Sequence, residues 1–470
     1  MSAHERMASV DALWFHMEEP ANLMMITAVL WFEGRLDFER LQAVVRERLV
    51  ERYPRFRQRV VPGRLGVPHW EEAPDLDLDA HLSRLTVPEP GNRAALETLV
   101  GQWMSTPLER SRPLWQFHVL EGAKTGDVLL CRLHHCLADG MALARVLLTL
   151  TDAEGAEDGV ASELREAPRA SSSGLSRWVR GARRVAGTAR KVLRKGEELA
   201  AEPILAGDLV RQGARGAAAL AKLLAIPQDP HTPLRGPLGL EKRAAWSDPV
   251  PLEQVKAVGR TLGGTVNDVL LTAVTGALRR YLESRDVPPE DVHALVPVNL
   301  RPLDAPVPRE LGNRFGVVFL RLPVHIGNPQ RRLRELARRM DRVKRSPEAV
   351  VTFGALELLG YAPAPVERSL VDAFGSKATL VATNVPGPRE GVSLAGMKLG
   401  GLTFWVPQAA HLGLGVSLFS YAGKVTVGVA ADAGLMPDPH ALIRAFHDEM
   451  EALAGAEALD RGSEPSMRQD

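Results

Sequence analysis

Two adjacent histidines followed by an Asp-Gly pair form the stretch of the sequence best suited to chemistry, HHCLADG at residues 134–140. Imidazole titrates near neutral pH, so either histidine could take a proton from a hydroxyl group. The apolar run at 128–133 predicts a strand, and side chains alternate along a strand, so His134 and His135 should point to opposite sides. A metal ion shared by both histidines and Asp139 is disfavoured, because its ligands must converge within about 2.0–2.2 Å. We therefore expect no metal, one working histidine and one supporting histidine.

The Asp-Gly pair could serve the histidines in different ways. Asp139 could pair with His135 as in a catalytic triad. Gly140 suits a tight turn into a helix starting near Met141, where a side chain would obstruct the turn and the approach of a substrate. An ordinary glycine at a helix entry explains Gly140 almost as well.

The chain that must position these residues has 470 residues, which exceeds what one hydrophobic core usually organises. Its predicted strands and helices do not alternate regularly, which favours an α+β sandwich over a doubly wound parallel sheet. Neither a GxGxxG nor a GxxxxGK[ST] motif is present, so nucleotide-binding folds lose support. We predict an N-terminal lobe at 1–150, a linker at 151–240 and a C-terminal lobe at 241–470.

The predicted linker contains a strongly basic segment. Residues 176–195 hold eight Arg or Lys residues and no acid, interleaved with Trp178 and aliphatic residues. Such an amphipathic stretch could lie on an anionic bilayer or a lipid inclusion, or it could be a solvated linker helix. Both interpretations remain open from the sequence.

Charge and cysteine content restrict the partners and the cellular compartment that we expect for the protein. The net charge is +1, which gives no whole-protein case for binding nucleic acid. Cys131 and Cys136 are the only cysteines, so we expect buried, reduced thiols rather than a disulfide framework. The sequence begins without a secretory-signal pattern, and its longest apolar run is too short to span a bilayer. We expect a cytoplasmic protein, with peripheral contact to the inner membrane or lipid inclusions left open.

The HHCLADG stretch matches the HHxxxDG signature of the CoA-dependent acyltransferase superfamily. More narrowly, the chain resembles bacterial wax ester synthase/diacylglycerol acyltransferases. The resemblance rests on VDALW with the following EEP, on Pro113-Leu114-Trp115, on Asn267-Asp268 and on the stretch NVPGP at 384–388. It implies two chloramphenicol-acetyltransferase-like α/β sandwich lobes with a substrate tunnel at their interface.

The resemblance also implies a reaction. His135 would be the general base that removes the proton of an alcohol while its oxygen attacks the acyl-CoA carbonyl, with no covalent intermediate. Acyl-CoA would be a substrate, no cofactor would be needed, and the acceptor would be a fatty alcohol or a diacylglycerol. Asp139 would turn away from the cavity and bind an arginine that the sequence does not identify, and His134 and Gly140 would support the motif.

The remaining matched residues have a structural and a functional interpretation each. Pro113, Leu114 and Trp115 could line the acyl tunnel or simply pack in the core. Asn267 could steady the oxyanion or orient a substrate, whereas Asp268 fits a helix-capping role. Two alternative functions remain, a condensation or tailoring acyltransferase that uses a carrier protein, and a non-catalytic lipid-surface protein.

Overall fold

The computed structural model describes residues 5–63, 67–74, 76–153, 225–301, 307–360, 364–408 and 412–462. The basic segment 176–195 and most of the predicted linker lie outside the described residues. No helix within the described ranges is long and apolar enough to cross a membrane. The described elements form two lobes, each built on a seven-stranded mixed sheet with helices packed against it.

The described part of the first half contains four α-helices and eight strands. Its helices are α1 (Ser9–His16), α2 (Phe38–Val45), α3 (Arg93–Met104) and α4 (Gly140–Leu148), and its strands are β1 (Glu5–Arg6), β2 (Met25–Phe32), β3 (Gln58–Pro62), β4 (Pro68–Glu72), β5 (Leu82–Thr86), β6 (Trp115–Glu121), β7 (Val128–His134) and β8 (Asp152–Ala153). Strand β7 is buried along its whole length, in agreement with its apolar sequence. It pairs antiparallel with β2 on one side and β6 on the other, which places its C-terminal end in the middle of the sheet.

The second half builds the other sheet and its helical layer. Its helices are α5 (Leu252–Leu262), α6 (Val266–Glu283), α7 (Pro329–Lys344), α8 (Glu348–Leu359), α9 (Ala364–Gly375) and α10 (Pro439–Gly462), and its strands are β9 (Lys242–Trp246), β10 (Val250–Pro251), β11 (Val292–Asn299), β12 (Phe315–Leu322), β13 (Leu380–Pro386), β14 (Val392–Leu394), β15 (Met397–Trp405), β16 (Leu414–Tyr421) and β17 (Lys424–Asp432). The second sheet has the order β10-β17-β16-β13-β11-β12, with β9 also pairing β17. The long helix α6 starts with the capping box predicted at Thr265 and Asp268.

One segment of the second half crosses to the first lobe. Strand β15 pairs antiparallel with β2, with Leu402 opposite Leu30 and Thr403 opposite Val29. Strand β14 continues that sheet to β8, so the first sheet has the order β5-β6-β7-β2-β15-β14-β8. The lobe boundary predicted at residue 241 assigns β14 and β15 to the C-terminal lobe, whereas in the structure both strands belong to the sheet of the first lobe. The mixed α+β architecture with two lobes is as the sequence predicts.

Candidate active site

The HHCLADG segment is the loop between β7 and α4, in the middle of the first sheet. The chain leaves the strand at His134, turns, and enters α4 at Gly140. The backbone N–H of His135 donates to the carbonyl of Met24, 2.7 Å away, which ties the loop to the chain entering β2. Both histidines are almost completely buried. The loop is therefore fixed on rigid strands rather than free on the surface.

His134 lies against a buried glutamate. Its Nδ1 accepts a hydrogen bond from the backbone N–H of Cys136, so the ring proton must sit on Nε2, which is 3.0 Å from Oε2 of Glu18. Burial alone would raise the pKa of Glu18, but the hydrogen bond from His134 and the nearby Arg110 lower it to about 2. The ring nitrogens of His134 thus face the loop backbone and Glu18, and its supporting role stays a prediction.

His135 occupies a different environment, between two aromatic rings. The indole of Trp14 stacks on its imidazole with a centroid separation of 4.1 Å, and the Phe315 ring lies 5.6 Å away on β12 of the second lobe. The residue is 4% exposed. Burial lowers the pKa of His135 to about 4, and the negative charge of Asp139 opposes this shift. The imidazole is therefore neutral at physiological pH, which is the state that a general base requires.

Asn313, from the second half of the chain, holds the His135 backbone and is itself bound by the buried acid Asp11. The side-chain N–H of Asn313 donates to the carbonyl of His135 and to Oδ1 of Asp11, each at 2.8 Å. The backbone N–H of Asn313 donates to the same carboxylate oxygen. Burial raises the pKa of Asp11 to about 6, against the hydrogen bonds that Asn313 supplies. Asp11 on α1 thus couples the first lobe to the segment that precedes β12.

Asp139 does not face His135 as a triad member would, and its carboxylate turns to an arginine. Oδ2 of Asp139 accepts from Nη1 of Arg301 at 2.5 Å and from the backbone N–H of Arg314 at 3.0 Å. Its other oxygen caps α4 by accepting from the backbone N–H of Ala142. Arg301 also donates to the carbonyl of Gly312. The arginine that the sequence left unidentified is therefore Arg301.

Gly140 lies at the first position of α4 and at one end of an apolar pocket. A Cβ atom built on Gly140 would lie 3.3 Å from Cγ1 of Val406, a tight but not prohibitive contact. The pocket runs along α4 between the two sheets. Its walls are aliphatic and aromatic, and come from β2, α4, β15 and β16, with Phe404 and Phe419 among them. The His135 ring does not line this pocket, so the continuous interface tunnel stays a prediction.

The Pro113-Leu114-Trp115 stretch belongs to the core beneath the motif. The Trp115 ring is fully buried, stacks on His81 with a centroid separation of 4.5 Å and donates its N–H to the carbonyl of Phe56. The carbonyl of Leu114 accepts from the backbone N–H of His134. None of the three residues lines the apolar pocket. Their contacts support the position of β7, and their assignment to a substrate tunnel stays a prediction.

Asn267 lies in the first turn of α6 and contacts the other matched asparagine. Its Oδ1 accepts a hydrogen bond from Nδ2 of Asn384, at 2.9 Å. Asn384 is exposed near the end of β13, so the two family-like stretches, Asn267-Asp268 and NVPGP, meet in space. Its role toward an oxyanion stays a prediction.

The two cysteines are buried free thiols, and burial raises the pKa of both. Neither is suited to act as a nucleophile at neutral pH. Among the described residues, no group of three or more His, Cys, Asp or Glu side chains is arranged to hold a metal ion.

Sequence reasoning missed the residues from the second half that clamp the motif. The segment Leu311–Arg314 reads LGNR, and it reaches the motif through the N–H of Gly312, which donates to the carbonyl of Leu137, and through Asn313. Gly312 has a φ of +96°, which favours glycine. The Gly-Asn pair before a predicted strand is the signal that could have indicated a special turn here.

The two sheets, the strand that crosses between them and the buried histidine at their junction define a two-lobed fold of the chloramphenicol-acetyltransferase type. Comparison with known proteins agrees with this class. The family description "Wax ester synthase/diacylglycerol acyltransferase catalytic domain" matches residues 7–270, and "WS/DGAT C-terminal domain" matches residues 311–454. The chain therefore belongs to the wax ester synthase/diacylglycerol acyltransferase family.

Individual relatives are consistent with this membership. A Mycobacterium tuberculosis protein named probable diacylglycerol O-acyltransferase tgs1 is 32% identical over 404 residues, covering 84% of this chain and 83% of that protein. The solved wax ester synthase/diacylglycerol acyltransferase from Marinobacter aquaeolei VT8 is 23% identical with a TM-score of 0.68, covering 97% of this chain and 100% of that one. The first condensation domain of the calcium-dependent antibiotic synthetase is 15% identical with a TM-score of 0.60, covering 97% and 96%. These two structures establish the fold alone.

Proposed function

We propose that this acyltransferase moves a long-chain acyl group from acyl-CoA to the hydroxyl of a fatty alcohol or a diacylglycerol, with His135 as general base. The observation that carries the proposal is the state of His135, a buried, neutral imidazole held by residues of both lobes where the lobes meet. Nδ1 of His135 is buried without a hydrogen-bond partner among the described residues. We propose Nε2 as the nitrogen that an incoming hydroxyl meets.

The proposed reaction is a direct transfer. Nε2 of His135 takes the hydroxyl proton while the oxygen forms a bond to the thioester carbonyl carbon, whose oxygen becomes negatively charged. The tetrahedral species then breaks its carbon–sulfur bond, and the CoA thiolate takes the proton from His135. The thioester is already activated, so the step requires no cofactor. Holding both substrates beside one base replaces the covalent intermediate that a nucleophilic mechanism would need.

The apolar pocket along α4 is the proposed site of the acyl chain. It starts at Gly140, next to the motif, and its walls come from α4, β2, β15 and β16. Its lining carries almost no polar groups, which suits hydrocarbon and not the pantetheine or nucleotide parts of CoA.

The test is ester synthesis by purified protein from radiolabelled palmitoyl-CoA, with hexadecanol and with dipalmitoylglycerol as acceptors. We expect labelled wax ester, labelled triacylglycerol or both, and no product from His135→Ala. The exposed His231 offers a matched control, and His231→Ala should retain full activity. Substantial turnover by His135→Ala with an unchanged melting temperature would exclude the assigned base. Activity only with an acyl carrier protein as donor would favour the condensation-type alternative.

A lipid acceptor also bears on location. We propose that the cytoplasmic enzyme meets its acceptor at the surface of a membrane or a lipid inclusion, through the basic segment 176–195. Cosedimentation with anionic vesicles should decrease when residues 176–195 are deleted. Equal binding by the deletion variant and the full chain would contradict this role.

A further inference from the structure

Trp14 is the residue in closest aromatic contact with His135, and the mechanism above gives it no task. It lies on the buried face of α1, is 7% exposed, and belongs to the VDALW stretch singled out in the sequence. Its indole stacks on the imidazole with an angle of 22° between the ring planes. The ring of Phe315, from the second lobe, also stacks on Trp14, with a centroid separation of 5.8 Å.

The indole N–H of Trp14 is buried and has no hydrogen-bond partner among the described residues. Burying a donor without a partner is unfavourable, so each such group in a folded protein calls for an explanation. The neighbouring polar groups do not satisfy it. The side-chain oxygen of Asn313, an acceptor in the same region, also has no hydrogen-bond partner among the described residues, so it does not accept from the indole.

We propose that Trp14 is a catalytic residue whose indole N–H donates a hydrogen bond to the oxyanion formed on the acyl carbonyl. The inference rests on the proposed function. When His135 takes the hydroxyl proton and the new oxygen–carbon bond forms, the carbonyl oxygen gains a negative charge close to the imidazole. Oxyanion donors act within about 2.7–3.1 Å of that oxygen and must be in place beforehand. The indole that stacks on the base supplies a donor that has no partner among the described residues.

Asn267, the candidate that the sequence suggests for this role, is placed less favourably. Its side chain is only half-buried, and its oxygen is bound to Nδ2 of Asn384. Its described contacts do not include His135. Trp14 is in direct contact with the base and its donor is free, so the geometry favours the indole.

The first variant is Trp14→Phe, because it keeps an aromatic ring beside His135 and removes the N–H donor together with the second ring of the indole. We expect kcat to fall about 10²–10³-fold, the loss typical for one oxyanion donor, with little change in KM for acyl-CoA. The smaller ring leaves a cavity, so the melting temperature should fall as well. A role confined to packing would also lower the melting temperature but leave kcat unchanged.

Trp405 provides a matched control. Its indole N–H is also buried without a partner among the described residues, but its ring packs near Trp246 in a cluster with Val29 and Leu130. That cluster lies on the other face of the sheet from Cys131 and His135, because neighbouring strand residues alternate. Trp405→Phe should therefore leave kcat unchanged.

The outcomes separate this inference from the proposed function. A Trp14→Phe enzyme with the kcat of the wild type overturns the role of the indole while leaving ester synthesis intact. A wild-type protein that makes no ester overturns the proposed function itself. If Trp14→Phe folds poorly, 3-benzothienylalanine at position 14 keeps the shape of the side chain and replaces its N–H by sulfur. Loss of kcat in that variant supports the inference, and full kcat refutes it.

Discussion

Replacing Arg301 by alanine tests whether the second half of the chain holds the catalytic loop in place. Arg301 and Asp139 form an ion pair whose side chains are 15% and 4% exposed, so solvent screens it weakly. Removing one partner of a buried pair leaves an uncompensated charge and usually costs about 3–5 kcal/mol of folding free energy. Asp139 would keep its two backbone N–H donors, from Ala142 and Arg314, so we expect a loss near the lower end, about 3 kcal/mol.

The activity should fall as well, for a geometric reason. Arg301 also binds the carbonyl of Gly312, and that segment carries Asn313, which holds the carbonyl of His135. A displacement of the base by about 1 Å can cost about 10²-fold in rate. We therefore expect a large loss in kcat from Arg301→Ala even under conditions where the variant remains folded.

The assay is urea unfolding of four proteins, the wild type, Arg301→Ala, Asp139→Asn and the double variant, with ester synthesis measured in parallel. Removing the charge of Asp139 as well should relieve part of the damage, so the double variant should be less destabilised than the sum of the single variants. Arg309→Ala, an exposed arginine in the same connection, is the matched control. Additive effects of Arg301→Ala and Asp139→Asn on the free energy of unfolding would refute the coupling.

Three further predictions follow from the site. The pKa of His135 is about 4, so protonation of this residue should not change kcat/KM between about pH 5 and 8 and should decrease it below about pH 4. An inflection near pH 6.5 in the pH–rate profile would contradict a buried base. Burial raises the pKa of Asp11 to about 6 in the folded chain, from about 3.9 for an ordinary aspartate. The folded protein therefore retains this proton while the unfolded chain releases it, and the free energy of unfolding decreases as pH rises from about 4 to 6, by about 3 kcal/mol. Asp11→Asn should abolish that decrease, as urea unfolding at pH 4.5 and 7.5 can show. Ala144→Phe fills the apolar pocket along α4, so the variant should prefer octanoyl-CoA over palmitoyl-CoA relative to the wild type in a competition assay; an unchanged ratio would place the acyl chain elsewhere.

Local elements were largely predictable, because their signals are local. The apolar run before His134 forms β7, and the Thr265–Asp268 spacing forms the capping box of α6. The hairpin of β16 and β17 turns at the short sequence Tyr421–Lys424, with Ala422 and Gly423 at positive φ. In each case the period of the side chains or a short turn sequence determines the structure.

Strand pairing was not predictable in the same way. The sequence of β15 indicates a strand with apolar residues on both faces, but nothing in it names β2 as its partner. Two strands more than 350 residues apart can pair only through the packing of the whole molecule. The assignment of β14 and β15 to the second lobe followed from chain order, which carries no information about a crossing strand.

In the candidate site, too, the local features were predictable from the sequence and the long-range contacts were not. The motif predicted which residues matter, and the alternation of strand side chains predicted that His134 and His135 face different surroundings. The contacts that distinguish the two histidines come from elsewhere in the chain, since Glu18 lies against His134 and Trp14 stacks on His135. These partners were visible only as parts of short family-like stretches whose roles the sequence could not assign.

The position of the base depends on both halves of the chain. From the first half, the backbone of His135 is held by Met24; from the second, its carbonyl is held by Asn313, and its loop is held through Asp139 by Arg301. Asp11 on α1 binds Asn313 and so closes the connection between the halves. Neither half alone can place the imidazole, because each supplies only part of these hydrogen bonds. The geometry of the base is therefore a property of the junction between the lobes, and a change anywhere in this chain of contacts should alter kcat before it alters the fold.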